Sequence, residues 1–146
     1  MPRRILVVDD SATLRKIVAT LLREAGFEVE TARDGAEGFD RVQRERFDLL
    51  VTDFVMPRLN GYQFVQALRS IEGLRDLPVV LMSARAEQVA ERFIAQTGAR
   101  AALAKPFTPA ALLDVIHGAL RTHVQAAVLP PPPEEEDPID ALFDGI

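Results

Sequence analysis

Residues 48–57 read DLLVTDFVMP, and the fold can be worked out from this stretch. Its apolar first half has the length and composition of a buried β-strand, and the carboxylate of Asp53 follows it. A second apolar run at residues 5–8 ends in the same way, in Asp9 and Asp10. Two buried strands that each finish in acid predict one acidic cluster at one edge of a sheet.

The remaining chain alternates segments of strand character with segments of helix character. Further strands are predicted at residues 27–32, 78–83 and 101–104. A fourth helix is predicted near residues 87–97, and apolar residues three and four positions apart predict the other four helices. Those apolar positions are Leu14, Ile17, Val18, Leu21, Leu22 and Ala25, then Ala36, Phe39 and Val42, then Phe64, Val65, Leu68 and Ile71, and finally Leu112, Leu113, Val115, Ile116, Ala119 and Leu120. Five strands alternating with five helices predict an α/β protein whose parallel sheet is covered on both faces.

Helix boundaries are predicted from residues that favour caps and turns. Ser11 is the expected N-cap of the first helix, and Gly26 is its expected end. Asp34 and Gly35 predict a turn before the second helix, and Gly98 predicts the end of the fourth.

Composition narrows the range of possible partners. A chain of 146 residues can form one domain with a sizeable core, and its net charge of -5 argues against non-specific nucleic-acid binding. The absence of cysteine excludes a disulfide framework and thiolate chemistry. No apolar run approaches the roughly 18 residues of a membrane span, and the start of the chain does not resemble a signal peptide. We therefore expect a cytoplasmic protein with no nucleic-acid or membrane partner.

Five polar side chains lie at or just past the ends of the predicted strands. In parallel sheets the ligand site lies beyond the carboxyl ends of the strands, so we expect these side chains to converge. They are Asp9, Asp10, Asp53, Ser83 and Lys105.

These residue types favour phosphoryl transfer. Crowded carboxylates repel one another unless a cation lies among them, and an oxygen-only ligand set suits Mg²⁺ better than zinc. A carboxylate beside such a cation can attack phosphorus and form an aspartyl phosphate. Lys105 would supply a fixed positive charge to the phosphoryl oxygens, and Ser83 a hydrogen-bond donor. A glycine-rich phosphate-binding loop ending in Gly-Lys-Ser/Thr is absent.

Five short motifs together resemble the response-regulator receiver family, and the resemblance covers residues 3–124. The motifs are VVDDS at residues 7–11, TDFVMP at 52–57, NG at 60–61, SA at 83–84 and KPF at 105–107. The resemblance implies a flavodoxin-like, doubly wound sheet of five parallel strands in the order 2-1-3-4-5. The stretch from Asp9 to Arg15 is most similar to stand-alone chemotaxis regulators.

The same resemblance implies how the site works. A histidine kinase would phosphorylate Asp53, Ser83 would swing toward the phosphoryl group, and Lys105 would pair with it. A downstream protein would then bind the phosphorylated form, and the bond between Lys105 and Pro106 would be cis. The implied Mg²⁺ ligands are the carboxylates of Asp9, Asp10 and Asp53 and the backbone carbonyl of Val55.

One position departs from the family pattern, and two other functions remain as alternatives. Where many receivers carry a tyrosine or phenylalanine that rotates inward on phosphorylation, this chain has Ala102. A phosphorylation-independent scaffold is therefore one alternative. A Mg²⁺-dependent phosphatase with an aspartyl nucleophile is the other, although Val55 stands where such an enzyme has its second acid. The hypothesis favoured over both alternatives is a response regulator that catalyses only its own phosphorylation and dephosphorylation.

The sequence after residue 124 does not fit the receiver pattern. Residues 125–137 form a linker with four consecutive prolines and an acidic run, and residues 138–146 predict a short amphipathic helix. The tail resembles the regulator-binding peptide of the flagellar switch protein, which implies docking on a receiver's fourth helix, fifth strand and fifth helix. A frayed acidic end, or the stub of a longer chain, is the alternative. The residues predicted to dock are Ile139, Leu142 and Phe143.

Overall fold

A computed structural model describes residues 2–121 and contains one five-stranded parallel sheet. Its strands lie in the order β2-β1-β3-β4-β5, so the predicted fold is confirmed. The strands are β1 (Arg4–Val8), β2 (Glu28–Ala32), β3 (Leu49–Thr52), β4 (Val79–Ser83) and β5 (Ala101–Ala104). The helices are α1 (Ala12–Glu24), α2 (Gly35–Arg44), α3 (Gly61–Arg69), α4 (Ala86–Thr97) and α5 (Pro109–Arg121).

The register between β1 and β3 brings the two acidic motifs together. Val8 is the partner of Thr52, so each strand reaches its last paired residue at the same level of the sheet. The amide of Asp53 donates to the carbonyl oxygen of Val8 at 3.0 Å. Asp9 follows Val8 directly, and the two acids are therefore neighbours across the ladder.

Alternation along the strands divides the core into two layers. In β1, Leu6 and Val8 belong to the layer formed with α2, α3 and α4, whereas Ile5 and Val7 belong to the layer formed with α1 and α5. All four side chains are fully buried. Because successive strand residues point to opposite faces, a strand covered by helices on both sides is apolar at every position.

Side-chain caps fix the starts of α1 and α2. The hydroxyl of Ser11 accepts from the amide of Leu14, as predicted for an N-cap. Asp34, predicted only as a turn residue, caps α2 by accepting from the amide of Glu37. Gly98 follows α4 in the left-handed conformation with φ of 74°, as expected at a helix end.

Ile17 and Ile71 belong to the predicted apolar stripes and are among the residues that the structure places differently. Ile17 is 47% exposed on α1, because the helix buries only the narrower arc of Val18, Ala19 and Leu22. Ile71 lies beyond α3, which ends at Arg69, and the chain then forms a tighter turn.

Within residues 2–121, no helix combines the length and apolarity needed to cross a membrane.

Candidate functional site

The predicted polar side chains meet at the carboxyl end of the sheet. Asp9, Asp10 and Asp53 each offer a carboxylate oxygen, and these three oxygens all lie within 4.8 Å of one another. The ammonium group of Lys105 lies 2.7 Å from Oδ2 of Asp9 and 3.1 Å from Oδ2 of Asp53. The strand ends therefore assemble an acidic cluster, and the ammonium group of Lys105 contacts two of its three carboxylates.

Asp53 is held at both carboxylate oxygens and has little contact with water. Its side chain is 9% exposed, Oδ1 accepts from the amide of Phe54 at 2.7 Å, and Oδ2 faces Lys105. Burial raises the pKa of Asp53, and the neighbouring charge of Asp9 raises it further, while Lys105 opposes both effects. The site thus holds a carboxylate whose charged form is under-solvated.

Asp9 is the most constrained acid of the cluster, and Asp10 is the least. Asp9 is fully buried, its Oδ1 accepts from the amide of Ser11 at 2.8 Å, and its Oδ2 accepts from Lys105. Asp10 is exposed to solvent. One carboxylate is thus built into the core, whereas the other lies at the open rim.

Lys105 reaches the acids from the loop that follows β5. Its amide donates to the carbonyl oxygen of Ser83 at 3.0 Å, which extends the pairing of β4 and β5 by one residue. The bond from Lys105 to Pro106 is cis, in agreement with the resemblance. Only 19% of the lysine side chain is exposed, so its charge lies inside the site.

Ser83 ends β4 and is buried beside this cluster. Its hydroxyl oxygen accepts from the amide of Arg85 at 3.1 Å, which orients the start of the β4–α4 loop. A hydroxyl oxygen that accepts this bond still has its proton to donate. Ser83 can therefore serve as a donor to a group bound in the site.

The loop after Asp53 packs unusually close to it, and Gly61 makes this possible. The amide of Gly61 donates to the carbonyl oxygen of Phe54 at 2.8 Å. A Cβ added at Gly61 would lie 2.3 Å from the carbonyl oxygen of Asp53 and 2.9 Å from Cα of Phe54. The sequence identifies Gly61 only as part of the NG motif at residues 60–61 and gives no indication of this contact.

Arg15 also contacts the site and was not predicted. It lies on α1, half-buried, and its guanidinium donates to the backbone carbonyl of Asp9 at 2.7 Å. An arginine at a helix position gives no sequence signal for such a contact, because the side chain reaches back by six residues to the strand end.

The other predicted positions lie on β5, on the loop after β3 and in the tail. Ala102 is half-buried in β5 and packs, with Ile94, against the layer formed by α2, α3 and α4. The side chain of Val55 is 51% exposed on the loop after β3. The tail positions Ile139, Leu142 and Phe143 lie outside the described residues.

Curated relatives match the chain over most of its length. It is 40% identical over 114 residues to the chemotaxis protein CheY-3 of Vibrio cholerae, which covers 76% of this chain and 86% of that protein. It is 38% identical over 114 residues to the chemotaxis protein CheY of Pseudomonas aeruginosa, which covers 77% of this chain and 92% of that one.

Solved structures share the fold closely. The chemotaxis response regulator CheY4 of Vibrio cholerae superposes with a TM-score of 0.78 at 34% identity, over 82% of this chain and all of that one. The receiver domain of a sensor histidine kinase from Pseudomonas aeruginosa, with a magnesium ion coordinated in its active site cleft, gives 0.76 at 28% identity, over 84% and 100% of the two chains.

The family model described as the response regulator receiver domain matches residues 5–117, a span that begins in β1 and ends in α5. That span contains all five strands and every residue of the acidic cluster. With the predicted strand order and with relatives of 38–40% identity, the chain belongs to the family of response regulator receiver domains of two-component signalling.

Proposed function

We propose that this receiver accepts a phosphoryl group on Asp53 in a Mg²⁺-dependent reaction, takes it from a histidine kinase, and passes the signal to a downstream protein. The observation that carries the proposal is the placement of Lys105, which contacts both Asp9 and Asp53 while the oxygens of Asp9, Asp10 and Asp53 lie within 4.8 Å of one another. This arrangement combines a nucleophilic carboxylate with charges that neutralise a phosphoryl group.

In the proposed transfer, a carboxylate oxygen of Asp53 attacks phosphorus and forms an acyl phosphate. The bond between phosphorus and the kinase histidine breaks, and its electron pair stays on the imidazole nitrogen, which takes a proton. Lys105 neutralises the charge on the phosphoryl oxygens, and Ser83 donates a hydrogen bond to one of them. The raised pKa of Asp53 is consistent with this role, because an under-solvated carboxylate is reactive once ionised.

The donor set fits a small, hard cation. Three carboxylates with no nitrogen or sulfur ligand suit Mg²⁺, and the acids of this site provide only oxygen. We propose that Asp9, Asp10 and Asp53, with the backbone carbonyl of Val55, would hold the ion, which would supply positive charge in addition to that of Lys105. The magnesium ion in the structurally similar sensor-kinase receiver supports this assignment.

The similar proteins suggest a cytoplasmic setting in chemotaxis or motility. The two curated relatives named as chemotaxis proteins are 38–40% identical to this chain.

We further propose that the protein catalyses only its own phosphorylation and dephosphorylation. A phosphatase acting on other molecules is disfavoured because position 55, two residues after the nucleophile, is a valine.

Ala102 favours a different internal relay from the aromatic one, or a scaffold role that needs no phosphate. With only a methyl group at this half-buried position, no aromatic ring can move inward from β5. We propose that Ser83 carries the change instead, because turning its hydroxyl toward a phosphoryl group alters its contact with the amide of Arg85.

Intact-mass measurement after incubation with acetyl phosphate tests the proposal. We expect the wild type to gain one phosphoryl group with Mg²⁺ and to lose most of that labelling with a chelator. Asp53→Asn removes the nucleophile and should gain none. Asp40→Asn, which removes an exposed acid from α2, should label like the wild type. Equal labelling of Asp53→Asn and wild type would refute the assignment of the nucleophile.

A further inference from the structure

The contact between Arg15 and the strand end has no role in the proposed reaction. Nη1 of Arg15 lies 2.7 Å from the carbonyl oxygen of Asp9. The amide of the same residue, Arg15, donates to the carbonyl of Ser11 in the first backbone hydrogen bond of α1. The amide of Ser11 in turn donates to the carboxylate of Asp9.

The carbonyl of Asp9 needs such a partner because the sheet no longer supplies one. β1 ends at Val8, although the amide of Asp9 still donates to the carbonyl of Ala32 at 3.2 Å. Asp9 itself is fully buried. A buried carbonyl without a donor is costly, and the charged guanidinium supplies a strong one. Arg15 therefore fixes the peptide plane that joins Asp9 to Asp10.

Asp10 depends on that peptide plane more than the other acids do. The carboxylate of Asp9 is held by Ser11 and Lys105, and that of Asp53 by Phe54 and Lys105. Among the described residues, no hydrogen bond or ion pair reaches the side chain of Asp10. Its place in the cluster is thus determined by its own backbone, which begins at the peptide held by Arg15.

We propose that Arg15 is a positioning residue of the acidic cluster. By holding the carbonyl of Asp9 it fixes the Asp9–Asp10 peptide, and it thereby keeps the carboxylate of Asp10 where a divalent cation can bind it together with Asp9 and Asp53. This inference rests on the proposed function. It adds a residue of α1 to a site otherwise built from strand ends and their loops.

The charge of Arg15 predicts the opposite effect from its geometry, which makes the inference testable. A guanidinium close to a cation site repels the cation, so removing the charge alone should tighten Mg²⁺ binding. Removing the partner of the Asp9 carbonyl should weaken Mg²⁺ binding, because contacts that orient metal ligands contribute to metal affinity. The sign of the change in affinity distinguishes the two roles.

Calorimetric titration with Mg²⁺ gives the decisive comparison. Arg15→Met keeps an unbranched, helix-favouring side chain without donors, and we expect its Mg²⁺ affinity to fall about tenfold. Arg23→Met is the matched control, because Arg23 donates to the carbonyl of Val29 at 2.8 Å from the other end of α1. The control should bind Mg²⁺ like the wild type. Unchanged or tighter binding by Arg15→Met, or an equal loss in Arg23→Met, would overturn the inference.

Labelling with acetyl phosphate over a range of Mg²⁺ concentrations provides the second readout. For Arg15→Met we expect a higher Mg²⁺ requirement and, at saturating Mg²⁺, a labelling rate within about twofold of the wild type, because the variant alters ligand placement and not the nucleophile. A loss that persists at saturating Mg²⁺ would overturn the positioning role. The proposed function is judged separately, since a wild type that binds Mg²⁺ but is never labelled would refute phosphorylation and leave the affinity comparison intact.

Discussion

Asp53 experiences opposing electrostatic influences that together make its ionised form unfavourable. Burial removes water from the carboxylate, Asp9 places a second negative charge nearby, and Lys105 compensates only in part, so the pKa of Asp53 is raised. A raised pKa means that the folded state binds a proton at Asp53 more readily than the unfolded state does. The stabilising contribution is therefore complete below the ordinary aspartate pKa and is lost as the pH rises through the raised value.

Replacing this carboxylate by an amide should stabilise the protein at neutral pH. In a chelator at pH 7, we expect Asp53→Asn to raise the free energy of unfolding by on the order of 1 kcal/mol, because the variant no longer buries this charge. The advantage should shrink toward pH 4, because the wild-type carboxyl takes up a proton as the pH falls through its raised pKa. Urea unfolding of both proteins at pH 7 and at pH 4 measures this difference in the free energy of unfolding. Asp40→Asn should change stability by less than about 0.5 kcal/mol at either pH, and a comparable gain in that control would contradict the explanation.

Single residues at the site were predictable where their position along a strand decides their role. Asp9, Asp53, Ser83 and Lys105 lie next to strand ends, and parallel strands of one sheet finish at the same edge. Arg15 was not predictable in this way, because its contribution depends on a side chain that reaches back from a helix to a backbone carbonyl. Periodicity alone gives no information on such contacts.

At the level of elements, the strands were predicted more accurately than the helices. The segments predicted at residues 27–32, 78–83 and 101–104 agree with the observed strands to within one residue. Short apolar runs between turn residues leave little choice of boundary. Helix faces leave more, because an apolar residue at the edge of the stripe is compatible with either environment. Ile17, part of the apolar stripe that predicts the first helix, is exposed for this reason.

The loop from β3 to α3 is the element most sensitive to substitution. Gly61 begins α3 directly against the backbone of Asp53, and Asn60 and Gln63 form a reciprocal capping box at the same helix end. The loop has no free space in which a side chain at Gly61 could be placed. Its backbone conformation and the position of Asp53 are therefore linked.

Gly61→Ala should destabilise the fold and disturb the site together. A Cβ at 2.3 Å from the carbonyl oxygen of Asp53 must displace backbone, so we expect a loss of about 2 kcal/mol in urea unfolding and weaker Mg²⁺ binding. Gly118→Ala is the control, since nothing lies within 4 Å of its Cβ on α5. That variant should gain up to about 1 kcal/mol from helix propensity. Equal stability of the two variants would show that the close approach is not maintained in solution.

At the scale of the whole molecule, the surface formed by α4, β5 and α5 is the proposed docking face for the tail. The linker at residues 125–137 has 13 residues, and at about 3.1 Å per residue it could extend to roughly 40 Å. A domain of this size has a radius of gyration of about 13 Å. An extended linker of this length would allow the tail to reach this face of its own receiver, at an effective concentration on the order of millimolar.

Deletion of residues 130–146 tests whether the tail docks. We expect the amide chemical shifts of α4, β5 and α5 to change on deletion, and to return when a peptide of residues 134–146 is added. A full chain with Ile139, Leu142 and Phe143 replaced by alanine keeps the length and charge, and it should match the deletion. If neither variant changes those shifts and the peptide has no effect, the tail is only a chain end.

The contact between Lys105 and Asp9 also has a consequence for the order in which the protein can be made. The two residues are 96 positions apart, and the contact joins the first strand end to the loop after the last strand. A growing chain contains the acids of Asp9 and Asp53 long before it contains this lysine. Until residue 105 has emerged and β5 has joined the sheet, their charges have no partner in Lys105. During synthesis, the complete site can therefore form only after nearly the whole domain has been made.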